Sequence, residues 1–183
     1  MKKITIALMC VLLTAGAATA QKKFTFGPKV GFDITHFWGE GVSHEVRPSY
    51  QAGLFMEYRA TDMFAIAPEV VFASQGGKHD KTTYYVNYVN VPVMMKFYVA
   101  PAFSIDLGPQ LGINVYSKRT NSGVSLDFKK TTKDVEFGVG LGMTYNITDD
   151  VFVQGRYTMG LTKVYEYTKE KNGNAQIAIG YRF

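Results

Sequence analysis

The side chains best suited to catalysis in this sequence are its three histidines, His36, His44 and His79. His44 has Ser43 and Glu45 as direct neighbours in the stretch VSHEV, and hydrolytic enzymes combine these three types of group. Neighbours in sequence rarely point at a common atom, because catalytic groups are brought together by the fold. The histidines also lack the HxH or HxxxH spacing of a metal site. We therefore predict solvated polar loops here, with no catalytic, cofactor-binding or metal-binding residue.

Three other stretches suggest chemistry. GVGLG at 138–142 lacks the Lys-Ser/Thr ending and the following helix of a phosphate-binding loop, which favours strand glycines instead. NIT at 146–148 matches a glycosylation acceptor, but turn chemistry explains it as well. The basic stretch SKRTNSGVSLDFKKTTK at 117–133 could contact lipopolysaccharide phosphates, and a merely solvated loop explains it equally well.

The N-terminal segment has the pattern of an export signal. Lys2 and Lys3 precede an apolar run from Ile4 to about Leu13, and small residues follow as far as Ala20. The run is well short of the roughly 20 residues that a membrane-spanning helix needs. The sequence therefore predicts a cleavable signal peptide at 1–20 and one mature domain at 21–183.

Cysteine usage and charge exclude several functions. The sole cysteine, Cys10, lies inside the predicted signal peptide, so the mature chain is expected to have no disulfide, thiolate metal site or cysteine nucleophile. The formal net charge of +5 includes Lys2 and Lys3, whose removal leaves +3. The remaining basic residues are dispersed along the chain rather than arranged in a stripe, which argues against a nucleic-acid partner.

From Phe24 onward, large apolar residues alternate with glycine and polar residues. In VEFGVGLGMTY at 135–145, for example, every second residue is bulky and apolar. This period of two is typical of β-strands with one buried face. We count eight such segments and see no helical segment outside the signal.

The connections between these segments alternate in length. Such alternation is what an even-stranded up-and-down meander with both termini on one side produces. The short connections are 60–62, 99–102 and 146–150, and the longer polar ones are 35–47, 74–85, 116–133 and 162–173.

The polar face of the strands distinguishes a membrane barrel from a soluble β-sandwich or a secreted lipocalin-like barrel. A water-exposed face would hold few glycines, since a glycine weakens a strand interior. Here the polar face carries many glycines between single charges, as the narrow interior of an eight-stranded barrel requires. Five acids match five bases, and buried charges persist when paired. The predicted lumen network consists of Asp33, Glu57, Glu69, Asp106 and Glu136 with Lys29, Arg59, Lys96, Arg156 and Arg182.

The apolar face has aromatic residues near the strand ends and aliphatic residues in the strand middles, which is typical of aromatic girdles at a membrane surface. About ten residues per strand, with a tilt near 40°, span about 25 Å, the height of the apolar band of such barrels. The fold predicted is therefore all-β: an eight-stranded antiparallel up-and-down transmembrane β-barrel.

The mature chain resembles the PorT-like outer-membrane β-barrel family of Bacteroidetes, and in size it is similar to OmpX and OmpA-type barrels. YVNVPVMMKFY and the following FSIDLGPQLGINV are similar to that family's Pro-containing strand and Gly-Pro strand. The ending IAIGYRF resembles the aromatic-terminated last strand that the barrel assembly machinery recognises, with Tyr181 and Phe183 as the assembly signal. The resemblance implies a scaffold in the bacterial outer membrane.

The expected function is a non-catalytic barrel with a plugged polar lumen, whose four extracellular loops bind a partner or support the envelope. The expected contacts are outer-membrane lipid, lipopolysaccharide, the barrel assembly machinery and an extracellular or secretion-system protein, with no cofactor. Three alternatives remain open: a lipid A-modifying enzyme, a narrow porin-like channel, and an accessory component of protein secretion.

Overall fold

The computed structural model describes residues 23–39, 45–79, 82–121, 124–127, 134–164 and 170–183. The predicted signal peptide lies outside this part of the chain. No helix in the described part is long and apolar enough to cross a membrane. The described residues form nine strands: β1 (Phe24–Trp38), β2 (Arg47–Thr61), β3 (Phe64–His79), β4 (Thr82–Ala100), β5 (Phe103–Asn121), β6 (Val124–Asp127), β7 (Val135–Asn146), β8 (Val151–Gly160) and β9 (Lys171–Tyr181).

Eight of the nine strands close into a ring. The hydrogen-bonded order is β4-β3-β2-β1-β9-β8-β7-β5, and an additional β4–β5 pairing joins the two ends. The first and last strands, β1 and β9, pair antiparallel from Lys29↔Gly180 to Trp38↔Lys171. Closure removes the open edges that a flat sheet would leave unpaired. The predicted eight-stranded antiparallel barrel is therefore confirmed, and β6 is a short additional strand paired with the end of β5.

Side chains along each strand alternate between an outer apolar face and an inner polar face. On β7, Val139 and Leu141 are 39% and 58% exposed, whereas Gly140 between them is buried. On β1, Phe32 is 58% exposed and the adjacent Asp33 is fully buried. Bulky apolar residues suit a pleated surface, and here the pleat places them outside the ring. The face assignments made from the sequence pattern are those of the structure.

Aromatic side chains pair across neighbouring strands near the short-turn end of the barrel. Phe64 of β3 lies opposite Phe97 of β4, with ring centroids 5.4 Å apart. Phe24 lies opposite Tyr58, and Phe103 lies opposite Tyr145. Directly opposed residues on one face of an antiparallel pair are the closest side-chain neighbours in a sheet. The pairs therefore form an aromatic band around this end.

Two of the predicted long loops are largely regular strand. Most of the predicted 74–85 loop is a hairpin, because β3 continues to His79 and β4 begins at Thr82. In the predicted 116–133 loop, β5 continues to Asn121 and pairs with β6. The loop prediction is wrong at these two places, because polar residues and glycines such as Ser74, Gln75 and Gly76 form strand here without an apolar alternation. The short connections are turns at 62–63, 101–102 and 147–150.

Candidate functional site

The middle of the barrel interior holds a buried ion-pair cluster. Lys29 of β1 donates to Oε2 of Glu69 on β3 at 2.5 Å and to Oε1 of Gln154 on β8 at 3.0 Å. Arg156 of β8 donates through Nη1 to Oε2 of Glu69 at 3.0 Å and through Nη2 to Oε1 at 2.6 Å. This two-point contact is the strongest form of the pair. Because β3 and β8 lie on opposite sides of the ring, the cluster joins the two walls across the lumen.

Asp106 of β5 lies beside this cluster and is held by neutral donors. The hydroxyls of Ser104 and Thr144 donate to its two oxygens at 2.6 and 2.5 Å. The amide of Gln154 donates to Oδ2 of Asp106 at 3.1 Å. Buried carboxylates are tolerated when their oxygens are hydrogen-bonded. Gln154 thus links Asp106 to Lys29, and the two groups form one network.

A second cluster closes the interior near the short turns. Glu57 of β2 accepts hydrogen bonds from Lys96 at 2.8 Å and from the hydroxyl of Tyr98 at 2.6 Å. Nη2 of Arg182 lies 3.7 Å from Oε2 of Glu57. The guanidinium of Arg182 and the ammonium of Lys96 also lie 4.5 and 5.5 Å from the centre of the Phe152 ring. The cluster therefore combines ion pairs with cation–π contacts.

Arg59, which the charge count places in the lumen network, has a different environment. Its Cζ lies 3.7 Å above the ring of Tyr98. No carboxylate in the described residues forms an ion pair with it, and its buried Nε has no hydrogen-bond partner. Arg59 is therefore a cation held by an aromatic ring rather than by an acid.

The opposite end of the interior, towards the long connections, holds two carboxylates without ion pairs among the described residues. Glu136 of β7 accepts a hydrogen bond at 2.5 Å from the amide of Asn172, which also approaches the Tyr88 hydroxyl at 3.4 Å. Asp33 of β1 accepts from the amide of Asn174 at 3.5 Å. Neutral amides therefore replace the cations that the predicted network requires for these two acids.

An apolar cluster caps the lumen above Glu136. It consists of Phe37 of β1, Val86 and Tyr88 of β4, and Val164 in the connection after β8, all at most 4% exposed. Apolar side chains in this position exclude water from the polar interior below them.

Among the described residues, His36 contacts a tyrosine rather than a serine or an acid. Nε2 of His36 lies 3.4 Å from the hydroxyl of Tyr157, and the two rings stack at 6.2 Å. His79 ends β3, while His44 and Ser43 lie outside the described residues. In the part of the chain that is described, no three His, Cys, Asp or Glu side chains form a group that could hold a metal ion.

The sequence pattern did not predict three inward-facing residues. Arg47 of β2, assigned to a loop, is 6% exposed and donates through Nη2 to the carbonyl of Ser74 at 2.9 Å. Phe55 and Phe152 are apolar residues on the polar face, with rings in edge-to-face contact at 5.0 Å. Their sequence positions could have indicated this direction, because each occupies an inward place in the two-residue alternation of its strand.

The closed ring, its apolar outer belt and its charged interior define a β-barrel of the outer-membrane class. Residues 19–166 match the family model described as "Outer membrane protein beta-barrel domain", and the chain belongs to this family. The protein is therefore located in the bacterial outer membrane. In this class the short turns face the periplasm and the long connections face outward.

Solved structures of two other bacterial surface proteins are similar in fold. The attachment invasion locus protein Ail of Yersinia pestis has 16% identity and a TM-score of 0.57, over 88% of this chain and 99% of Ail. Neisserial surface protein A has 16% identity and a TM-score of 0.60, over 87% of this chain and 97% of its own. None of the curated protein sequences matches the chain. At these identities the likeness concerns the fold alone.

Proposed function

We propose that this protein is a non-catalytic outer-membrane barrel whose plugged lumen supports a rigid extracellular platform for binding polyanionic molecules. The observation that carries the proposal is the length of β4 and β5, which are longer than the other strands of the ring. β4 and β5 have 19 residues each, whereas β8 has 10. They are nine residues, or roughly 30 Å, longer than β8, and four residues longer than β1 and β2. A two-residue turn joins β4 and β5 at the periplasmic end, so the extra length stands on the extracellular side.

The charge of this extension supports an anionic ligand. Residues 117–133 contain five Lys or Arg and one Asp. Within the described part, Lys118 and Arg119 of β5 lie opposite Tyr85 and Tyr84 of β4. Clustered cations on a strand platform suit phosphate and sulfate groups, which accept charge-assisted hydrogen bonds. Lipopolysaccharide phosphates and sulfated sugars share this chemistry. A structure of Ail in complex with the heparin analogue sucrose octasulfate suggests a practical probe.

The binding proposal is tested with the folded protein in lipid nanodiscs. Sucrose octasulfate and lipopolysaccharide are titrated separately against the unmodified protein and against a variant with Lys118, Arg119, Lys129 and Lys130 all replaced by Gln. We expect the variant to lose about tenfold or more in affinity for both ligands, and the wild-type affinity to fall with added salt. Lys23→Gln, at the periplasmic end, is the matched control. Equal binding by wild type and the quadruple variant would overturn the proposal.

The plugged lumen is supported by the two charged clusters and the apolar cap, which occupy three successive levels of the interior. A plugged barrel is expected to give no steady conductance in a planar bilayer, in contrast to the narrow-channel alternative. A stable conductance at the single-protein level would contradict this part of the proposal.

A non-catalytic role is supported by the environment of His36, whose Nε2 lies 3.4 Å from the Tyr157 hydroxyl. The alternative of a lipid A-modifying enzyme predicts a changed acyl pattern when the protein is expressed. Mass spectrometry of lipid A with and without the protein distinguishes the two, and we expect identical spectra.

The proposal also covers how the protein is exported and how the barrel is assembled. Tyr181 and Phe183 are outward-facing, 44% and 66% exposed, with ring centroids 5.1 Å apart. These are the residues we propose the barrel assembly machinery recognises, after export directed by residues 1–20. Deleting Phe183 is expected to lower the amount of folded protein in the outer membrane. A pull-down after crosslinking in whole envelopes would test the secretion-system partner that the PorT-like resemblance implies.

A further inference from the structure

The periplasmic mouth of the barrel is an open cavity, lined in part by Glu57 and Arg182 of the second charged cluster. Its volume is about 580 Å³, and the three short turns and the last residues of the chain contribute to its lining. Glu57 and Tyr98 form part of the lining, and their polar atoms are already bonded to each other at 2.6 Å. The groups available to a ligand are therefore the charged side chains of the walls.

One wall of the mouth carries two basic side chains, with Asp62 of the β2–β3 turn as its acidic residue. Arg59 of β2 and Lys23, just before β1, are adjacent, since the backbone N–H of Arg59 donates to the carbonyl of Lys23 at 2.7 Å. The Arg59 guanidinium is stacked 3.7 Å from the Tyr98 ring, which fixes its plane. Its Nε is buried and has no partner. A guanidinium that is fixed in plane but has unused donors is already arranged to bind a carboxylate at two points.

The opposite wall carries two acidic side chains and Arg182, whose guanidinium already contacts Asn146 and Glu57. Asp149 and Asp150, in the β7–β8 turn, line the same cavity and are exposed. In the ring of eight strands, β7 lies opposite β2, so these aspartates face Arg59 across the mouth. The backbone N–H of Asp150 donates to Oγ1 of Thr148 at 3.2 Å, which anchors the turn.

We infer that the periplasmic mouth binds a small zwitterionic ligand of the peptide type, with its carboxylate on Arg59 and its ammonium group at Asp149 and Asp150. A simple anion would be repelled by the aspartates, and a simple cation would leave Arg59 unpaired. A ligand with both charges at its two ends satisfies both walls at once. This site is independent of the extracellular platform, because the two lie at opposite ends of the barrel.

The test uses the folded protein in nanodiscs at low ionic strength, titrated with tetra-alanine that has free termini. Binding is measured by isothermal titration calorimetry. We expect amidation of the peptide's C-terminus to weaken binding by about tenfold or more, because the charged partner of Arg59 is lost. Acetylation of the N-terminus should weaken it to a smaller degree. A second peptide ending in D-alanine separates a cell-wall peptide from a protein-derived peptide as the source, and binding of either supports the site.

The decisive variant is Arg59→Gln, with Lys163→Gln, an exposed basic residue after β8 on the extracellular side, as the control. Folding of each variant is verified by the shift in gel mobility between heated and unheated samples. The inference predicts that Arg59→Gln binds the free-ended and the amidated peptide equally weakly, whereas Lys163→Gln keeps the wild-type preference. Equal affinity of the wild type for both peptides, or wild-type binding by folded Arg59→Gln, would overturn it. If Arg59→Gln does not fold, Asp149→Asn and Asp150→Asn together must abolish the effect of N-acetylation.

Discussion

The outer and inner faces of the barrel wall are built from the same strands, but they are stabilised in different ways. On the outer face, Leu54, Val70 and Ile177 are 64%, 53% and 72% exposed. Each of them contacts the lipid hydrocarbon independently of the other two. On the inner face, Glu69 is satisfied only because Lys29 and Arg156 both reach it. A substitution outside should therefore cost the transfer free energy of one side chain, whereas one inside should also cost what it leaves unpaired.

The inner face itself is not uniform. Glu69 has two cations, whereas Glu136 has Asn172 as its donor and no ion pair within the described residues. Charge balance alone therefore does not explain the interior. Both acids nevertheless accept hydrogen bonds, Glu69 from cations and Glu136 from an amide, as buried carboxylates generally do.

Replacing Glu69 with Gln should be the most damaging single change. Lys29 and Arg156 would remain buried without a carboxylate, and breaking a buried pair in this way costs about 3–5 kcal/mol. Urea unfolding in lipid vesicles, followed by the fluorescence of the single tryptophan, Trp38, measures the loss. The exposed Glu45→Gln is the control and should stay within about 0.5 kcal/mol of wild type. Similar stability of both variants would mean that the inner face does not depend on its ion pairs.

Arg substitutions on the outer face should have the next largest effect. Val139→Arg or Leu141→Arg places a cation near the middle of the bilayer, at a cost of about 2–4 kcal/mol. The matched control is Ile147→Arg, which lies in a periplasmic turn and is 55% exposed; there the cost falls to about 0–1 kcal/mol. The same unfolding assay compares the three variants. Full stability of both midplane variants would show that the outer face has been assigned wrongly.

Much of the fold follows from the sequence, because the membrane imposes a simple rule on each strand. Residues such as Leu141 and Ile177 must face outward, and the pleat then fixes the direction of their neighbours. The strand segments that the sequence does not predict lie on the extracellular side of the apolar outer belt, for example Thr82–Tyr85 and Val124–Asp127. No apolar side is required there, so the alternation disappears and only backbone pairing remains.

The interior was less predictable than the fold. The sequence indicates which charges face inward, but not which of them meet, because contacts across the lumen depend on strand register and tilt. Glu69 and Arg156 are separated by 87 residues. Arg59 stacks on Tyr98 and Glu136 bonds to Asn172, and neither partner is signalled by charge. Partners of this kind, which are amide and aromatic side chains, can therefore be identified only from the structure.

The substitution Glu136→Gln tests the difference between the two kinds of buried acid on the inner face. The change removes a charge that has no ion pair and retains an oxygen that can accept from Asn172. We expect a loss of about 1 kcal/mol or less, the scale of one hydrogen bond, measured in the same assay as Glu69→Gln. A loss as large as that of Glu69→Gln would mean that Glu136 has a cationic partner.

The smallest effect, and the one whose sign best separates the two faces, comes from adding a single methyl group. A Cβ on Gly155, between the inward Gln154 and Arg156, would have no heavy atom within 4 Å. Gly155→Ala should therefore stabilise the barrel by about 0.4–1 kcal/mol, chiefly by restricting the unfolded chain. On the inner face, a Cβ on Gly140 would lie 3.3 Å from Cδ of Arg156 and 3.4 Å from Cε of Met94. Those side chains must move, so Gly140→Ala should leave the stability of the barrel unchanged or lower it slightly. An equal gain in stability at both glycines would contradict the view that the interior is crowded and the outer face is not.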